Sequence, residues 1–386
     1  MDDPVLLSRL QFAVTIMFHY IFPPMTIGLG VVLVALEGLW LKTKNELYHK
    51  QAKFWTKIFG IIFALGVASG IVMEFQFGTN WADYSRCVGD IFGFFLESGF
   101  LAILLFGWDK VGPKMHFFSS CMVALGAHFS AIWIIVANSW MQTPAGYKLV
   151  EVNGKIQAHI TSFYDVVFNP STVDRLTHAL AGCWLAGATL VLSVSAWYIL
   201  KKRFTGGAEK SFKVALVIGL IGVVGMGITG DSSAREVSIH QPAKFAAMEG
   251  LNEGGNGVEF TVIGIPTNDP SLPTPKMKKM EYAIHVPKML SFLGYHDFNA
   301  YIPGIQNILD GYTSQEGITY PSLEQRMANG RTAIDALKTY KQAVKDENHP
   351  LADSTLQVFK ANYSDFGYGY LSSPYDAIPH VPLVFF

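Results

Sequence analysis

Residues 176–200 read LTHALAGCWLAGATLVLSVSAWYIL, a run without an Asp, Glu, Lys or Arg. About 20 consecutive apolar residues are enough to cross the hydrocarbon core of a bilayer, so this run predicts a membrane-spanning helix. His178 lies near its beginning, and an ionisable side chain inside a span is typical of a functional site because it is costly to bury in lipid. His19 and His128 lie in two further apolar runs.

The composition of the whole chain agrees with a membrane protein. Of its 386 residues, 50% are hydrophobic and only 15% are charged, which is unusual for a soluble domain. The net charge of −1 offers no electrostatic basis for binding nucleic acid. The three cysteines lie far apart without a CxxC motif, so neither a thiolate metal site nor covalent haem attachment is indicated.

Six segments qualify as spans, and the third of them is short. Their approximate bounds are 10–40, 54–77, 91–108, 117–140, 176–200 and 213–230. Pro23 and Pro24 inside the first segment predict a kink or a break, because proline has no N–H to donate to the helix. Lysine and arginine concentrate in the first, third and fifth links, which places those links in the cytoplasm and the N-terminus outside.

The segment 231–380 is richer in Pro, Gly, Asn and charged residues, and none of it is apolar enough to span. It is therefore expected outside the membrane. Within it, Ser322 and Gln325 predict the start of a surface helix over 321–344. The apolar residues 381–386 read as the beginning of a seventh span. The predicted fold is an all-α, polytopic transmembrane bundle (1–230) with a large extracytoplasmic loop domain (231–380).

The histidines suggest cofactor binding. Imidazole is the usual axial ligand of haem iron, and helix bundles hold such groups between facing helices. By the predicted orientation, His19 and His178 both lie in the outer half of the bilayer. The alternative for each is a histidine that bonds a neighbouring backbone carbonyl. For His128, in the middle of its span, an interhelical hydrogen bond is favoured over ligation.

Three carboxylates and a lysine are further candidates. Glu97 lies in the middle of the third span, where burial favours its neutral form and a role in proton transfer. The alternative is a packed, protonated side chain. Glu74 lies near the outer end of the second span, where a structural role is as plausible. Lys244 and Glu249 in the external segment could contact a quinol head group, although most such pairs are merely solvated.

Taken together, these segments resemble subunit I of the cytochrome bd-type quinol oxidases. The segments that carry the resemblance are Ser8–Phe12, Met17–Tyr20, Glu74–Trp81, Phe94–Ser98, Trp133–Gln142, Gly230-Asp231 and Gln241–Glu249. The resemblance implies that His19 is an axial ligand of a high-spin haem and that His178 is an axial ligand of the low-spin haem b558. It implies a place for Glu97 on the proton path and for Lys244 and Glu249 in the quinol-binding Q-loop. For Glu74 it implies no firm role.

The resemblance also implies cofactors, partners and location. These are haem b558, haem b595 and haem d (or a third haem b), a second large subunit, small single-span subunits, ubiquinol or menaquinol, and O2. The expected fold has nine spans in the bacterial cytoplasmic membrane, of which this chain supplies six. Between Gly93 and Phe94 the family carries about ten more residues, including a second membrane carboxylate. The remaining haem ligands of the family are expected beyond Phe386.

The implied activity is oxidation of quinol at the outer face coupled to reduction of O2 to water. It generates a proton motive force without pumping, because the two proton reactions use opposite faces. One alternative is a di-haem b-type quinone oxidoreductase subunit. Such subunits usually bind each haem between two histidines on facing helices, and His19 and His178 have no obvious second histidine among the spans. Another is a secondary transporter with Glu97 and His128 as coupling groups, although no inverted repeat is visible.

Overall fold

The computed structural model describes residues 4–80, 98–152 and 155–379. Contacts between Cα atoms divide the chain into two compact units. The first comprises residues 1–150 and 156–230, and the second comprises 151–155 and 231–386. The predicted start of a seventh span at 381–386 lies outside the described residues.

The first unit is a bundle of long helices. In chain order they are α1 (Pro4–His19), α2 (Phe22–Thr43), α3 (Glu46–Asn80), α4 (Ser98–Phe106), α5 (Pro113–Gln142), the short α6 (Phe163–Val167), α7 (Thr172–Leu200) and α8 (Thr205–His240). A two-stranded sheet of β1 (Tyr147–Val152) and β2 (Lys155–Ile160) lies between α5 and α6 in the chain. The bundle confirms the predicted fold class of a helical membrane protein.

Within the described residues, five helical segments are long and apolar enough to cross a membrane. They are Leu7–Thr43, Glu46–Gln76, Pro113–Gln142, Thr172–Leu200 and Thr205–His240. The predicted third span, 91–108, falls partly outside the described residues, and its described part is α4. The last helix extends ten residues beyond the predicted end at residue 230, because charged residues end an apolar run without breaking the backbone ladder. The break comes only at Pro242.

The first span is interrupted where the sequence predicts it. Pro23 and Pro24 occupy the first turn of α2, and Tyr20 and Ile21 form the turn that separates α1 from α2. Proline fits the first helical turn because the N–H groups there have no intrahelical acceptor. The double proline therefore ends one helix and starts the next inside a single predicted span.

The core of the bundle forms around α2, which packs against α3, α5 and α7. Leu29, Leu33 and Leu36 of α2 are buried together with Trp55 and Phe59 of α3. The closest approach is between α2 and α7. A Cβ atom on Gly28 would lie 2.2 Å from the carbonyl oxygen of Cys183, and one on Gly187 would lie 2.4 Å from the carbonyl carbon of Gly28. Such small-residue contacts let membrane helices pack backbone against backbone.

A fully buried polar cluster also joins α2 to α5. The Glu37 carboxylate is 2.9 Å from Nδ1 of His116 through Oε2, and it accepts a hydrogen bond from the Ser120 hydroxyl at 2.6 Å through Oε1. His116 Nε2 lies 3.3 Å from the carbonyl oxygen of Leu104, and the Trp108 ring covers the imidazole at a centroid distance of 3.8 Å. Every polar atom of the Glu37 carboxylate therefore has a partner, as burial at 0% exposure requires.

The second unit combines short helices with small antiparallel sheets. Its helices are α9 (Pro242–Met248), α10 (Met289–Tyr295), α11 (Ile305–Asp310), α12 (Leu323–Lys345) and α13 (His349–Ala361), followed by two 3₁₀ helices (Tyr363–Tyr370 and Pro374–Ala377). Its strands are β3 (Gly255–Asn256), β4 (Phe260–Thr267), β5 (Lys279–Val286), β6 (Tyr301–Ile302), β7 (Tyr312–Thr313) and β8 (Thr319–Tyr320). They pair as β3–β6, β4–β5 and β7–β8.

The predicted surface helix of this unit is confirmed. The backbone N–H of Gln325 donates to the hydroxyl of Ser322, which caps α12 as the sequence indicates. One edge of α12 packs closely on the first 3₁₀ helix, where Gly330 and Gly369 face each other. Arg326 Nε and Asn329 Nδ2 both donate to the carboxylate of Asp365 at 2.8 and 2.9 Å.

The contact between α2 and α7 can be tested with two substitutions on the same helix. We expect Gly28→Ala to lower the thermal unfolding temperature of the purified protein, because its methyl group would overlap the backbone of α7. Overpacking of this kind costs about 1–3 kcal/mol or more. Gly30→Ala is the matched control, since its Cβ atom would lie 3.5 Å from Ala124 in ordinary contact. Equal unfolding temperatures for the two variants would contradict the close approach.

Candidate functional site

His19 is the last residue of α1, and it faces α3. Its Nδ1 atom lies 2.9 Å from the hydroxyl of Ser69. That hydroxyl is itself 2.8 Å from the carbonyl oxygen of Leu65, to which it donates its proton. The Ser69 oxygen is then left as an acceptor, so the proton of the His19 contact belongs to Nδ1. This assignment of the hydroxyl proton gives the tautomer in which Nε2 carries the lone pair.

His178 on α7 repeats this arrangement with a residue of α8. Its Nδ1 atom lies 3.0 Å from the hydroxyl of Thr229, which donates to the carbonyl oxygen of Gly225 at 2.7 Å. The same reasoning gives an Nδ1–H tautomer with a lone pair on Nε2. His19 and His178 therefore make the same kind of contact through Nδ1. In each case the partner is a hydroxyl that donates its own proton to a backbone carbonyl.

The space beside each imidazole is also alike. Gly70 directly follows Ser69, and a Cβ atom there would lie 3.3 Å from Cε1 of His19. Gly230 directly follows Thr229, and a Cβ atom there would lie 3.6 Å from Cε1 of His178. The pairs Ser69-Gly70 and Thr229-Gly230 thus provide a hydroxyl for Nδ1 and place a glycine beside Cε1, where a methyl group would be tight at Gly70 and in ordinary contact at Gly230.

These features fit the donor chemistry of haem. Neutral imidazole binds a metal through one nitrogen while the other N–H is held by an outer partner, and haem iron takes such a ligand along its axis. Among residues 4–80, 98–152 and 155–379, there is no cluster of three or more His, Cys, Asp or Glu that could hold a metal ion by itself. Single imidazoles suit a cofactor that brings its own equatorial ligands.

His128 differs from the other two because both of its nitrogens are engaged. Nδ1 lies 2.7 Å from the carbonyl oxygen of Ala124, and Nε2 accepts a hydrogen bond of 2.9 Å from the indole N–H of Trp184. Trp184 is on α7, so His128 on α5 makes an interhelical hydrogen bond. With no free lone pair, it has no nitrogen to offer a metal in this arrangement.

Among the described residues of the bundle, Glu74 is not hydrogen-bonded to any of the three candidate histidines. Glu97 lies outside the described residues. Glu74 is exposed on α3, two residues from Gln76, whose amide donates to the hydroxyl of Thr15 at 2.7 Å. That hydrogen bond ties α3 to α1 beside Glu74, which leaves the Glu74 side chain on the outside of the contact.

Lys244 and Glu249 lie together at α9 of the second unit. Lys244 is within the helix and Glu249 is the residue that ends it, and both are half-buried. Burial raises the pKa of Glu249 from 4.5 to about 7. A carboxyl group with this pKa is close to half protonated at neutral pH, which suits a group that accepts and releases protons.

Sequence reasoning missed the partners of these residues. It singled out His19 and His178 but not Ser69 or Thr229, because spacing along the chain does not show which helix faces which. The hydroxyl–glycine pair is not a distinctive signal, since Ser98-Gly99 and Thr205-Gly206 also occur in the sequence. It also missed the bond between Asp231 and His296 in the second unit, where Nε2 lies 2.9 Å from the carboxylate.

Comparison with known proteins gives consistent matches. The family model for cytochrome bd terminal oxidase subunit I matches residues 7–386. The chain is 36% identical to cytochrome bd-II ubiquinol oxidase subunit 1 of Escherichia coli (strain K12), over 97% of this chain and 70% of that protein. It is 39% identical to cytochrome bd ubiquinol oxidase subunit 1 of Bacillus subtilis (strain 168), over 80% of this chain and 66% of that protein. It therefore spans about two thirds of these relatives.

A solved structure shows the same fold. The structure of bd oxidase from Geobacillus thermodenitrificans superposes with a TM-score of 0.71 at 23% identity, covering 95% of this chain and 84% of that one.

The raised pKa of Glu249 predicts how stability depends on pH. Between pH 4.5 and about 7 the folded protein holds a proton at Glu249 that the unfolded chain has released. The free energy of unfolding therefore falls as pH rises through this window. We expect Glu249→Gln to remove this component, so that the variant gains stability relative to the parent as pH rises. The measurement is the thermal unfolding temperature from pH 4.5 to 8.

The exposed Glu253 provides the control for this experiment. Glu253→Gln should leave the pH dependence of unfolding as it is in the parent. A Glu249→Gln variant whose unfolding temperature stays parallel to that of the parent over the whole pH range would contradict the buried carboxyl.

Proposed function

Since the chain belongs to the cytochrome bd terminal oxidase subunit I family, we propose which of its residues bind haem, quinol and protons. The chain is a subunit of a terminal respiratory oxidase, a quinol:oxygen oxidoreductase. Neither alternative, a di-haem b-type quinone subunit or a secondary transporter, is supported by this membership. Haem and quinol are the cofactor and substrate that the family implies.

His19 and His178 hold haem iron through Nε2. The observation that carries this assignment is the pair of hydroxyl contacts, which hold each imidazole with Nδ1 protonated and Nε2 open. Outer partners of this kind orient a ligating histidine and raise its basicity. When bound, haem supplies the redox chemistry. His19 serves a high-spin haem of the oxygen-reducing site and His178 serves the low-spin haem b558, with haem b595 and haem d (or a third haem b) completing the set.

Quinol is oxidised at the second unit, near α9. Glu249 accepts a proton from a quinol hydroxyl, a step that its pKa of about 7 favours at neutral pH. Lys244, on the same short helix, orients the quinol oxygen with its ammonium group. The quinone is ubiquinone or menaquinone, and its protons leave on the outer face.

Protons for water come from the opposite face. The concentration of lysine in these links supports an orientation in which the cytoplasm lies at the end of the bundle that carries Lys42, Lys44 and Lys53. Glu97 lies on the path by which these protons cross, and Glu74 and His128 are given no role on it. Because release and uptake use opposite faces, charge is separated across the bacterial cytoplasmic membrane without a pump. A second large subunit and small single-span subunits complete the enzyme.

Haem content tests the two ligands. We expect His19→Ala and His178→Ala each to lose part of the absorption of the purified oxidase, with the low-spin b-type bands lost in the His178 variant. Reduced-minus-oxidised spectra and pyridine haemochrome content are the measurements. His349→Ala in the exposed start of α13 is the control. Unchanged haem content in both membrane variants would refute the assignment.

The hydroxyl partners make a finer prediction. Thr229→Val keeps the shape of the side chain but removes the acceptor for Nδ1–H of His178. We expect the haem to remain and its midpoint potential to rise, because a less basic imidazole stabilises the oxidised iron less. Loss of part of a hydrogen bond corresponds to roughly 20–40 mV. Ser69→Ala should act likewise on the haem held by His19. Potentiometric titration measures both shifts, and a shift in the wrong haem would contradict the pairing.

A further inference from the structure

The loop that joins β4 to β5, residues 268–278 of the second unit, is ordered by its own hydrogen bonds. The carboxylate of Asp269 accepts from the backbone N–H of Ser271 at 2.9 Å and from its hydroxyl at 2.7 Å. The hydroxyl of Thr274 accepts from the backbone N–H of Lys276 at 3.3 Å. Turns of this kind fix the backbone without a sheet or a helix, so the loop presents Lys276 in a defined position.

Lys276 connects this loop to the second 3₁₀ helix, Pro374–Ala377. Its Nζ atom donates to the carbonyl oxygen of Tyr375 at 2.8 Å and to that of Ile378 at 3.2 Å. Tyr375 lies inside the 3₁₀ helix, and Ile378 directly follows it. The last carbonyls of a helix have no partner within it, and a cation there is favourable. Lys276 therefore caps the end of this helix, although it is 99 residues earlier in the chain than Tyr375.

An apolar cluster connects the same loop to α9. Ala246 lies within α9, between Lys244 and Glu249, and it is 0% exposed. It belongs to one buried cluster with Met277 of the loop and Ile378 at the end of the 3₁₀ helix. The packing that joins the loop to the 3₁₀ helix therefore also holds α9 in place.

A hydrogen bond ties the residues after α9 to the loop as well. The side-chain amide of Asn252, a few residues beyond Glu249, donates to the carbonyl oxygen of Lys278 at 2.8 Å. The backbone carbonyl of Asn252 accepts from the N–H of Gln306 at 2.9 Å. The chain that leaves α9 is therefore fixed both to the loop and to α11.

Helix α9 depends on these contacts for its position. It has 7 residues, and a helix this short is not stable without packing. Among the contacts that hold the loop, those of Lys276 are charge-assisted, and bonds of this type are about twice as strong as neutral ones. Without the ammonium group, two half-buried carbonyl oxygens would lose this donor. The loop would then be free to leave the 3₁₀ helix, and α9 would lose part of its support.

We propose that Lys276 is a positioning residue for quinol oxidation. Its ammonium group holds the loop on the 3₁₀ helix, and the loop holds α9, so that Lys244 and Glu249 keep the geometry that binds the quinol head group. The inference rests on the quinol site proposed at α9. Lys276 acts through α9 and does not touch the quinol. When fewer molecules have α9 in place, the apparent affinity for quinol falls in proportion, while the chemistry of each bound quinol is unchanged.

The test compares variants of the purified, assembled oxidase. Lys276→Met keeps a long side chain that donates no hydrogen bond. We expect hydrogen–deuterium exchange of residues 242–252 to be about tenfold faster in this variant, because local opening becomes less costly. The KM for a short-chain quinol (ubiquinol-1 or menaquinol-1, whichever the parent oxidises faster) should rise about three- to tenfold, with kcat and the haem spectrum as in the parent.

Two substitutions in the same loop serve as controls. Lys276→Arg keeps a cation with several N–H donors and should restore both the exchange rate and the KM of the parent. Lys278→Met removes an ammonium group that contacts Asn268 instead, and it should behave as the parent does. Equal rises in KM for Lys278→Met and Lys276→Met would mean that the charge of the loop is responsible rather than the contact with the 3₁₀ helix, and would overturn the proposal.

A third variant separates this inference from the quinol site on which it rests. Lys244→Met tests that site directly, since Lys244 is proposed to contact the quinol itself. A raised KM for Lys244→Met together with an unchanged KM for Lys276→Met would overturn the positioning role alone. Unchanged exchange of residues 242–252 in Lys276→Met would do the same. An unchanged KM for both variants would refute the quinol site and the inference with it.

Thr274→Val provides a second test if Lys276→Met does not assemble. It removes the hydroxyl that accepts from the N–H of Lys276 while keeping the shape of a side chain that is 7% exposed. The loop should then present Lys276 less precisely, so the exchange of residues 242–252 and the KM should both rise about twofold or more. Faster exchange spread evenly over the second unit would indicate a general loss of stability and would contradict a specific role.

Discussion

The bundle depends on the direct contact between the backbones of α2 and α7. Apolar side chains gain little by leaving lipid for one another, so membrane helices associate through close packing and polar contacts. Gly28 and Gly187 permit that packing because neither position has room for a methyl group. Around this contact α2 buries Leu29, Leu33 and Leu36, and α3 and α5 pack on its remaining faces. This contact positions α7, which carries His178, against α2, and α3, which carries the Ser69 partner of His19, also packs on α2.

At three polar contacts inside the bundle, the hydrogen of a serine or threonine hydroxyl has a defined acceptor. Ser69 and Thr229 give their protons to their own helix and keep a lone pair for a histidine. Ser120 gives its proton to the Glu37 carboxylate instead. The direction of each bond therefore decides which lone pairs and protons remain for a neighbouring imidazole.

The sequence predicts those features that depend on a single segment. Hydropathy over a span, the break at Pro23 and the cap at Ser322 are local, and each is found in the structure. Contacts between two helices could not be predicted, because the sequence does not show which helices face each other. Examples are the Ser69 and Thr229 hydroxyls that contact His19 and His178, and the contact between Glu37 and His116. The sixth span was predicted over 213–230, and α8 extends beyond it on both sides, because polarity marks where an apolar span ends and a residue such as Pro242 marks where a helix ends.

The double proline after His19 has an electrical consequence as well as a steric one. Pro23 and Pro24 cannot donate to the carbonyls of His19 and Tyr20, so these two dipoles are left pointing out of the end of α1. A helix C-terminus carries about half an elementary negative charge, and a low-dielectric surrounding screens it poorly. A cation at this histidine is held in a favourable field. If His19 binds an iron as proposed, the more highly charged oxidation state would gain more from this field than the lower one, and that iron would be harder to reduce.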